Sequence, residues 1–197
     1  EIYFKVLKKK FKSPLILIAS YKLLLMQMKK LKYNKKIKII DMKKIKKNSL
    51  NNKVINLIDV KYNQKKPFEK ISKKSNNYID ESFSIAIKLI KQGFTNKLIN
   101  GPISKKTFLN KKKLGITEYI SDKFFVKNKA MLIYNKNLAV YPITTHVPLK
   151  SVQKKINKKL IIDKIKLINN FYKQKLKLKP KLAVLGLNPH CETVSNF

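Results

Sequence analysis

Pro14-Leu15-Ile16-Leu17-Ile18-Ala19-Ser20-Tyr21-Lys22-Leu23-Leu24-Leu25-Met26-Gln27-Met28-Lys29-Lys30-Leu31 changes its hydrophobic pattern partway along. Residues 15–19 form a continuous apolar run after a proline, as a buried strand does, and residues 21–31 read as a helix. The alternation recurs downstream. Residues 37–40 and 54–58 predict two further strands, separated by the lysine- and asparagine-rich residues 43–53. Residues 63–75, with Pro67 among them, predict a loop. A helix is expected over residues 78–92, with Ile79, Phe83, Ala86 and Ile90 on one face and Gly93 as its C-terminal cap. Residues 98–100 then lead into Gly101-Pro102. Residues 131–134 and 138–143 resemble paired strands turned at Asn135-Lys136-Asn137. A long helix is expected after Pro148, with Val152, Ile156, Leu160, Ile165 and Ile168 on its buried stripe. Residues 181–187 form a last strand-like run. Strands alternating with helices give an α/β fold.

At 197 residues and 44% apolar, the chain can bury one large core or two incomplete ones. The net charge of +37 is of a size that suggests nucleic acid. All the basic side chains are lysine, however, and arginine supplies the planar fork that reads guanine and stacks on bases. The lysines are spread along the chain among Asn and Ile, a pattern that suits codon bias in an AT-rich genome. A lysine-rich RNA-binding protein would cluster them on one face with exposed aromatics, whereas Tyr and Phe here fall mostly within apolar stripes. No nucleic-acid partner is expected. The most apolar stretch, residues 15–28, is broken by Lys22 and Gln27 and is too short to span a bilayer, so no membrane partner is expected either. A single cysteine, Cys191, excludes an internal disulfide framework and fits a reducing cytoplasm.

The only two histidines stand in distinctive settings, Thr144-Thr145-His146-Val147-Pro148-Leu149 and Gly186-Leu187-Asn188-Pro189-His190. Each follows a strand-like run. From spacing alone they read either as two ligands converging on one metal at strand ends or as unrelated loop residues. Three of the four glycines, Gly101, Gly115 and Gly186, fall in segments with a motif character. No Gly-x-Gly-x-x-Gly occurs, so a Rossmann nucleotide site is unsupported.

Together with Asn100-Gly101-Pro102-Ile103-Ser104-Lys105 and Gly115-Ile116-Thr117-Glu118-Tyr119, the two histidine segments resemble the 4-hydroxythreonine-4-phosphate dehydrogenase family of pyridoxal phosphate biosynthesis. The resemblance implies an isocitrate/isopropylmalate dehydrogenase-like fold, with two α/β/α domains flanking a cleft, incomplete here. These are expected as residues 1–100 and residues 101–197, the latter carrying the metal-site motifs. It implies NAD (or NADP) as hydride acceptor without a Rossmann fingerprint, and a divalent metal such as zinc, magnesium or cobalt. His146 and His190 would be metal ligands, and Thr117, Ile116 and Lys105 would face a small phosphorylated amino-acid substrate. Asn188 and Pro189 would shape the loop that aims His190. Thr117-Glu118 opens a helical pattern, so Glu118 is expected to cap that helix rather than to orient groups behind the site.

Two departures follow. The family places histidine where this chain has Ile116, which offers no side-chain hydrogen bond, so a relative acting on another phosphorylated hydroxy acid is the close alternative. The chain also lacks an initial methionine and stops seven residues after His190. A third metal histidine, in a Tyr-His-Asp motif, is expected beyond Phe197 and from the partner subunit of a homodimer. A fragment lacking strands is expected to leave apolar surface uncovered.

Overall fold

The computed structural model describes residues 2–9, 11–109, 115–126 and 128–187. The chain divides into two compact units, Glu1–Gly115 and Ile116–Phe197. The division expected after residue 100 falls inside the first unit, ahead of its last helical turn.

The first unit is a three-stranded parallel sheet with helices on it. Its elements are α1 (Ile2–Val6), β1 (Ile16–Ala19), α2 (Tyr21–Lys30), β2 (Ile37–Ile39), β3 (Ile55–Asp59) and α3 (Asn76–Lys91). The strand order is β1-β3-β2, so the last strand lies in the middle. Leu17 pairs with Leu57 on one side and Ile39 with Leu57 on the other. Because side chains alternate across a strand, β3 feeds two cores. Ile55 and Leu57 meet Leu24 and Met28 of α2 and Phe4 of α1, whereas Ile58 meets Ile40 and Leu89 of α3. Strands covered on both faces read as predominantly apolar runs, which is why residues 15–19 and 54–58 are legible.

Asn56 is the exception within β3, fully buried among apolar neighbours. Its Nδ2 donates to the carbonyls of Leu15 at 3.0 Å and Asn51 at 2.7 Å. Asn52 does similar work nearby, accepting from the Leu15 N–H at 2.9 Å and donating to Ser13 O at 3.0 Å. The two amides tie the entry of β1 to the entry of β3.

Helix ends follow local chemistry. Ser20 caps α2, its Oγ accepting from the Leu23 N–H at 3.3 Å. Gly93 closes α3 at φ +70, with Gly93 N–H on Ile90 O and Phe94 N–H on Leu89 O, the paired bonds of a Schellman turn. On α3, Phe83 and Ala86 are buried as expected, joined by Ile87 and Leu89, while Ile79 and Ile90 are half-buried.

The second unit contains α4 (Ile116–Lys123), α5 (Leu149–Lys155) and α6 (Lys158–Phe171), the last continuing into a π-helical turn at Tyr172–Leu176. Three expectations are corrected here. Residues 131–134 and 138–143 make one antiparallel bridge, Ile133 with Val140, rather than a strand pair. Ile133, Tyr134, Leu138 and Val140 are exposed, and a two-stranded ribbon without a covered face is marginal. The single long helix after Pro148 is two helices. Ile156 is extended, and Asn157 at φ −147 accepts from the Leu160 N–H at 2.9 Å, so its amide starts a new helix. Residues 181–187 form no strand and are exposed throughout, because no neighbouring strand meets them among the described residues. No helix of the described residues is long and apolar enough to cross a membrane.

Two tests follow from the first unit. Leu57→Ala removes a fully buried side chain from the central strand and should cost about 2–5 kcal/mol in urea unfolding. Tyr3 has a buried hydroxyl with no partner, and burial, aided by Tyr33, pushes its phenol from 10 up to about 12. The folded state therefore favours the neutral phenol: its contribution is complete below pH 10 and is lost as pH rises through about 12. Tyr3→Phe should match or exceed the parent in thermal stability at neutral pH. It should also lose less between pH 10 and 12, a comparison in which the titration of the lysines cancels.

Candidate functional site

In open parallel sheets the carboxyl ends of the strands are the usual place for ligands. At that edge of the first unit, the Tyr21 N–H donates to Asp59 Oδ1 at 2.7 Å, and the Ser20 N–H donates to Tyr78 Oη at 3.2 Å. The Ser20 hydroxyl donates to Tyr62 O at 3.4 Å, and the Tyr62 and Tyr78 rings stack with centroids 4.9 Å apart. Burial raises the Tyr78 pKa; the Ser20 N–H opposes this, and the Asp59 carboxylate and Tyr62 add to it. The first N–H groups of α2 are thus taken by the protein's own Ser20 and Asp59. This edge is a closed network, and its chemistry is structural.

The residues expected to face a substrate lie elsewhere. Lys105 opens the π-helical turn Lys105–Leu109 in the first unit and is exposed. The turn is fastened by Phe108 N–H on Ser104 O at 2.9 Å and by Asn76 Nδ2 on Thr107 O at 3.0 Å. Ile116 and Thr117 open α4 in the second unit, Ile116 half-buried and Thr117 exposed. Glu118 stands in the first turn of α4, and its Oε2 is buried without a hydrogen-bond partner.

Thr117 borders a shallow depression of about 340 Å³ with Ile120, Ser121, Phe124, Val126 and Lys129. Four of these recur at i, i+3, i+4 and i+7 and so share one face of α4, while Glu118 and Asp122 fall outside it. Helical spacing makes that face legible in the sequence. Lys129 has no such signal, being one cation in a chain with 47.

His146 is exposed in the segment before α5, with φ +56. A side chain in the left-handed region costs about 1–2 kcal/mol, and histidine is among the residues that visit it. The run expected to be a strand before it contributes only the Val140 bridge. His190, with Asn188 and Pro189, lies outside the described residues. No group of three or more His, Cys, Asp or Glu side chains that could hold a metal occurs among the described residues. His146 alone offers one imidazole, exposed and without a hydrogen-bond partner among the described residues. That fits one ligand of a divalent ion.

Comparison with known proteins places this arrangement. The family described as pyridoxal phosphate biosynthetic protein PdxA matches residues 10–195. A 4-hydroxythreonine-4-phosphate dehydrogenase of Sulfurihydrogenibium sp. is 36% identical over 147 residues, 73% of this chain and 44% of that protein. The protein of the same name from Bacteroides thetaiotaomicron is 34% identical over 109 residues, covering 53% and 30% respectively. The chain therefore spans less than half the length of these relatives. Among solved structures, a putative 4-hydroxythreonine-4-phosphate dehydrogenase from Salmonella typhimurium superposes with TM-score 0.83 at 22% identity, over 100% of this chain and 62% of that one. The Klebsiella pneumoniae enzyme gives TM-score 0.80, also at 22% identity, over 97% and 59%. The fold is the isocitrate/isopropylmalate dehydrogenase-like α/β fold. With 186 consecutive residues inside the family match, the chain belongs to the pyridoxal phosphate biosynthetic protein PdxA family.

Proposed function

We propose that this chain carries part of the active site of a dehydrogenase that oxidises 4-phosphohydroxy-L-threonine. The secondary alcohol at C3 loses its proton from oxygen and a hydride from carbon, and NAD (or NADP) takes the hydride. The product, 2-amino-3-oxo-4-phosphooxybutanoate, carries a carboxylate β to the new ketone. It loses carbon dioxide to give 3-amino-2-oxopropyl phosphate on the route to pyridoxal phosphate. The observation that carries this reading is the family match along residues 10–195.

The residue roles follow the chemistry of each side chain. The Thr117 hydroxyl donates a hydrogen bond to the substrate. The exposed Lys105 ammonium pairs with its phosphate or carboxylate as a point charge. His146 and His190 would hold a divalent metal (zinc, magnesium or cobalt). When bound, that ion supplies Lewis acidity that lowers the pKa of the substrate hydroxyl. The protein works as a cytoplasmic homodimer whose active site lies at the subunit interface. A second reading, oxidation of another phosphorylated hydroxy acid, is favoured by Ile116, which presents an apolar wall where the family resemblance expects histidine.

The full-length protein should reduce NAD in the presence of 4-phosphohydroxy-L-threonine. Alanine at His146 or His190 should abolish both turnover and the uptake of zinc measured by metal analysis. Ile116→His should tighten the substrate about tenfold to a hundredfold, the worth of one hydrogen bond to a charged group. If that variant gains nothing while the parent oxidises another phosphorylated hydroxy acid faster, the second reading replaces the first.

A further inference from the structure

Lys129 is held at the edge of the depression beside Thr117. Its Nζ donates to Ser121 Oγ at 2.7 Å, and the hydroxyl of Ser121, a buried residue, donates in turn to Glu118 O at 2.9 Å. Its main chain is held as well, since Lys164 Nζ donates to Lys129 O at 2.8 Å and to Asn128 Oδ1 at 3.0 Å. A lysine side chain ordinarily gives up considerable rotamer freedom on binding an anion; here much of that ordering is already done.

The surroundings point to a negative ligand. An ammonium has three donors and Ser121 takes one, which leaves two. The depression it borders is otherwise lined by Thr117, Ile120, Ser121, Phe124 and Val126, so its one charge is positive. The acidic side chains of α4, Glu118 and Asp122, are not in that lining. The Lys164 ammonium is held on the adjoining segment, at Lys129 O and Asn128 Oδ1, and no carboxylate is bonded to Lys129 or Lys164 among the described residues. A cation set beside apolar walls without a bonded carboxylate favours an anion. The turn that closes α4 sets this up: Phe125, at φ +58, lets the Val126 N–H return to Ser121 O at 2.9 Å, folding the following residues back over the helix.

We propose that Lys129, anchored by Ser121 and set beside Thr117, binds an oxyanion of the substrate, its phosphate ester or its carboxylate. It thereby supplies a polar contact that the side chain of Ile116 cannot. The inference rests on the reading of Thr117 as a substrate contact. Lys129 touches the ligand, and Ser121 is a positioning residue.

The test uses the full-length protein and two readouts. Calorimetric titration with inorganic phosphate, and separately with acetate, distinguishes a phosphate site from a carboxylate site without requiring turnover. Steady-state kinetics with 4-phosphohydroxy-L-threonine separates KM from kcat. Lys129→Gln keeps a donor towards Ser121 but removes the charge; Lys136→Gln, in an exposed turn, controls for the general loss of one cation. Lys129→Gln should weaken one of the two anions about tenfold or more and raise KM by about tenfold to a hundredfold, with kcat little changed. Lys129→Arg should recover part of the loss. If Lys129→Gln behaves as Lys136→Gln does in both readouts, the proposal is overturned. Should Lys129→Gln fail to fold, Ser121→Ala decides. It releases the ammonium without removing it, so anion binding as tight as in the parent would overturn the proposal. Phosphate binding through Lys129 without turnover would sink the proposed activity but keep the subsite. Turnover whose KM ignores Lys129→Gln would do the reverse.

Discussion

Burial of β3 on both faces and along both edges is the constraint on which the first unit depends. A central parallel strand has both edges paired and both faces covered, so β1 and β2 satisfy its N–H and C=O groups while helices cover Ile55 to Ile58, and only the terminal Asp59 is exposed. Each requirement is met by named residues. Leu17 and Ile39 flank Leu57, α2 and α1 cover Ile55 and Leu57, and α3 covers Ile58. The same constraint explains Asn56. A polar side chain in the most buried strand is tolerable because its amide nitrogen serves two carbonyls at the strand entries. Its Oδ1 has no partner, so the tie carries an uncompensated polar atom, and Asn56 contributes register more than net stability.

A second constraint runs through both units. Turning a helix end sharply requires a left-handed residue, and a chain with four glycines rarely has one in place. Gly93 closes α3, but Lys32 closes α2 at φ 50 and Phe125 closes α4 at φ 58, each with the same pair of returning hydrogen bonds. His146 occupies the same region of backbone space with no helix to close. At Lys32 and Phe125 the hydrogen bonds offset the strain. At His146 no such returning pair forms among the described residues, and Thr144, Thr145 and Val147 beside it are half-buried.

The sheet of the first unit was legible because double burial writes itself as predominantly apolar runs, and the helices because their stripes recur every three or four residues. The failures have equally physical causes. Residues 131–143 and 181–187 carry strand-like composition, but composition cannot supply a neighbour, and a strand exists only when paired. The break at Ile156-Asn157 was hidden because the apolar stripe continues through Ile156; the signal that Asn157 caps a new helix was present, but the stripe outweighed it. Ile116, Thr117 and His146 stand out in the sequence by their motif neighbours. Lys129 does not, since neither periodicity nor motif separates it from the other lysines. What singles it out is its bond to the buried Ser121 hydroxyl at the edge of the depression beside Thr117.

That contrast shows how a strongly basic chain acquires specificity. A net charge of +37 attracts any anion over the whole surface, raising the local concentration of phosphorylated compounds but choosing none of them. Exposed ammonium groups are screened within about 8 Å at physiological ionic strength and contribute little to a tight site. Choice requires a cation whose position is fixed and whose surroundings exclude water. Lys129 meets the first condition through Ser121 and through the Lys164 bond to its carbonyl, and the half-buried Ile120 and Phe124 line the depression beside it.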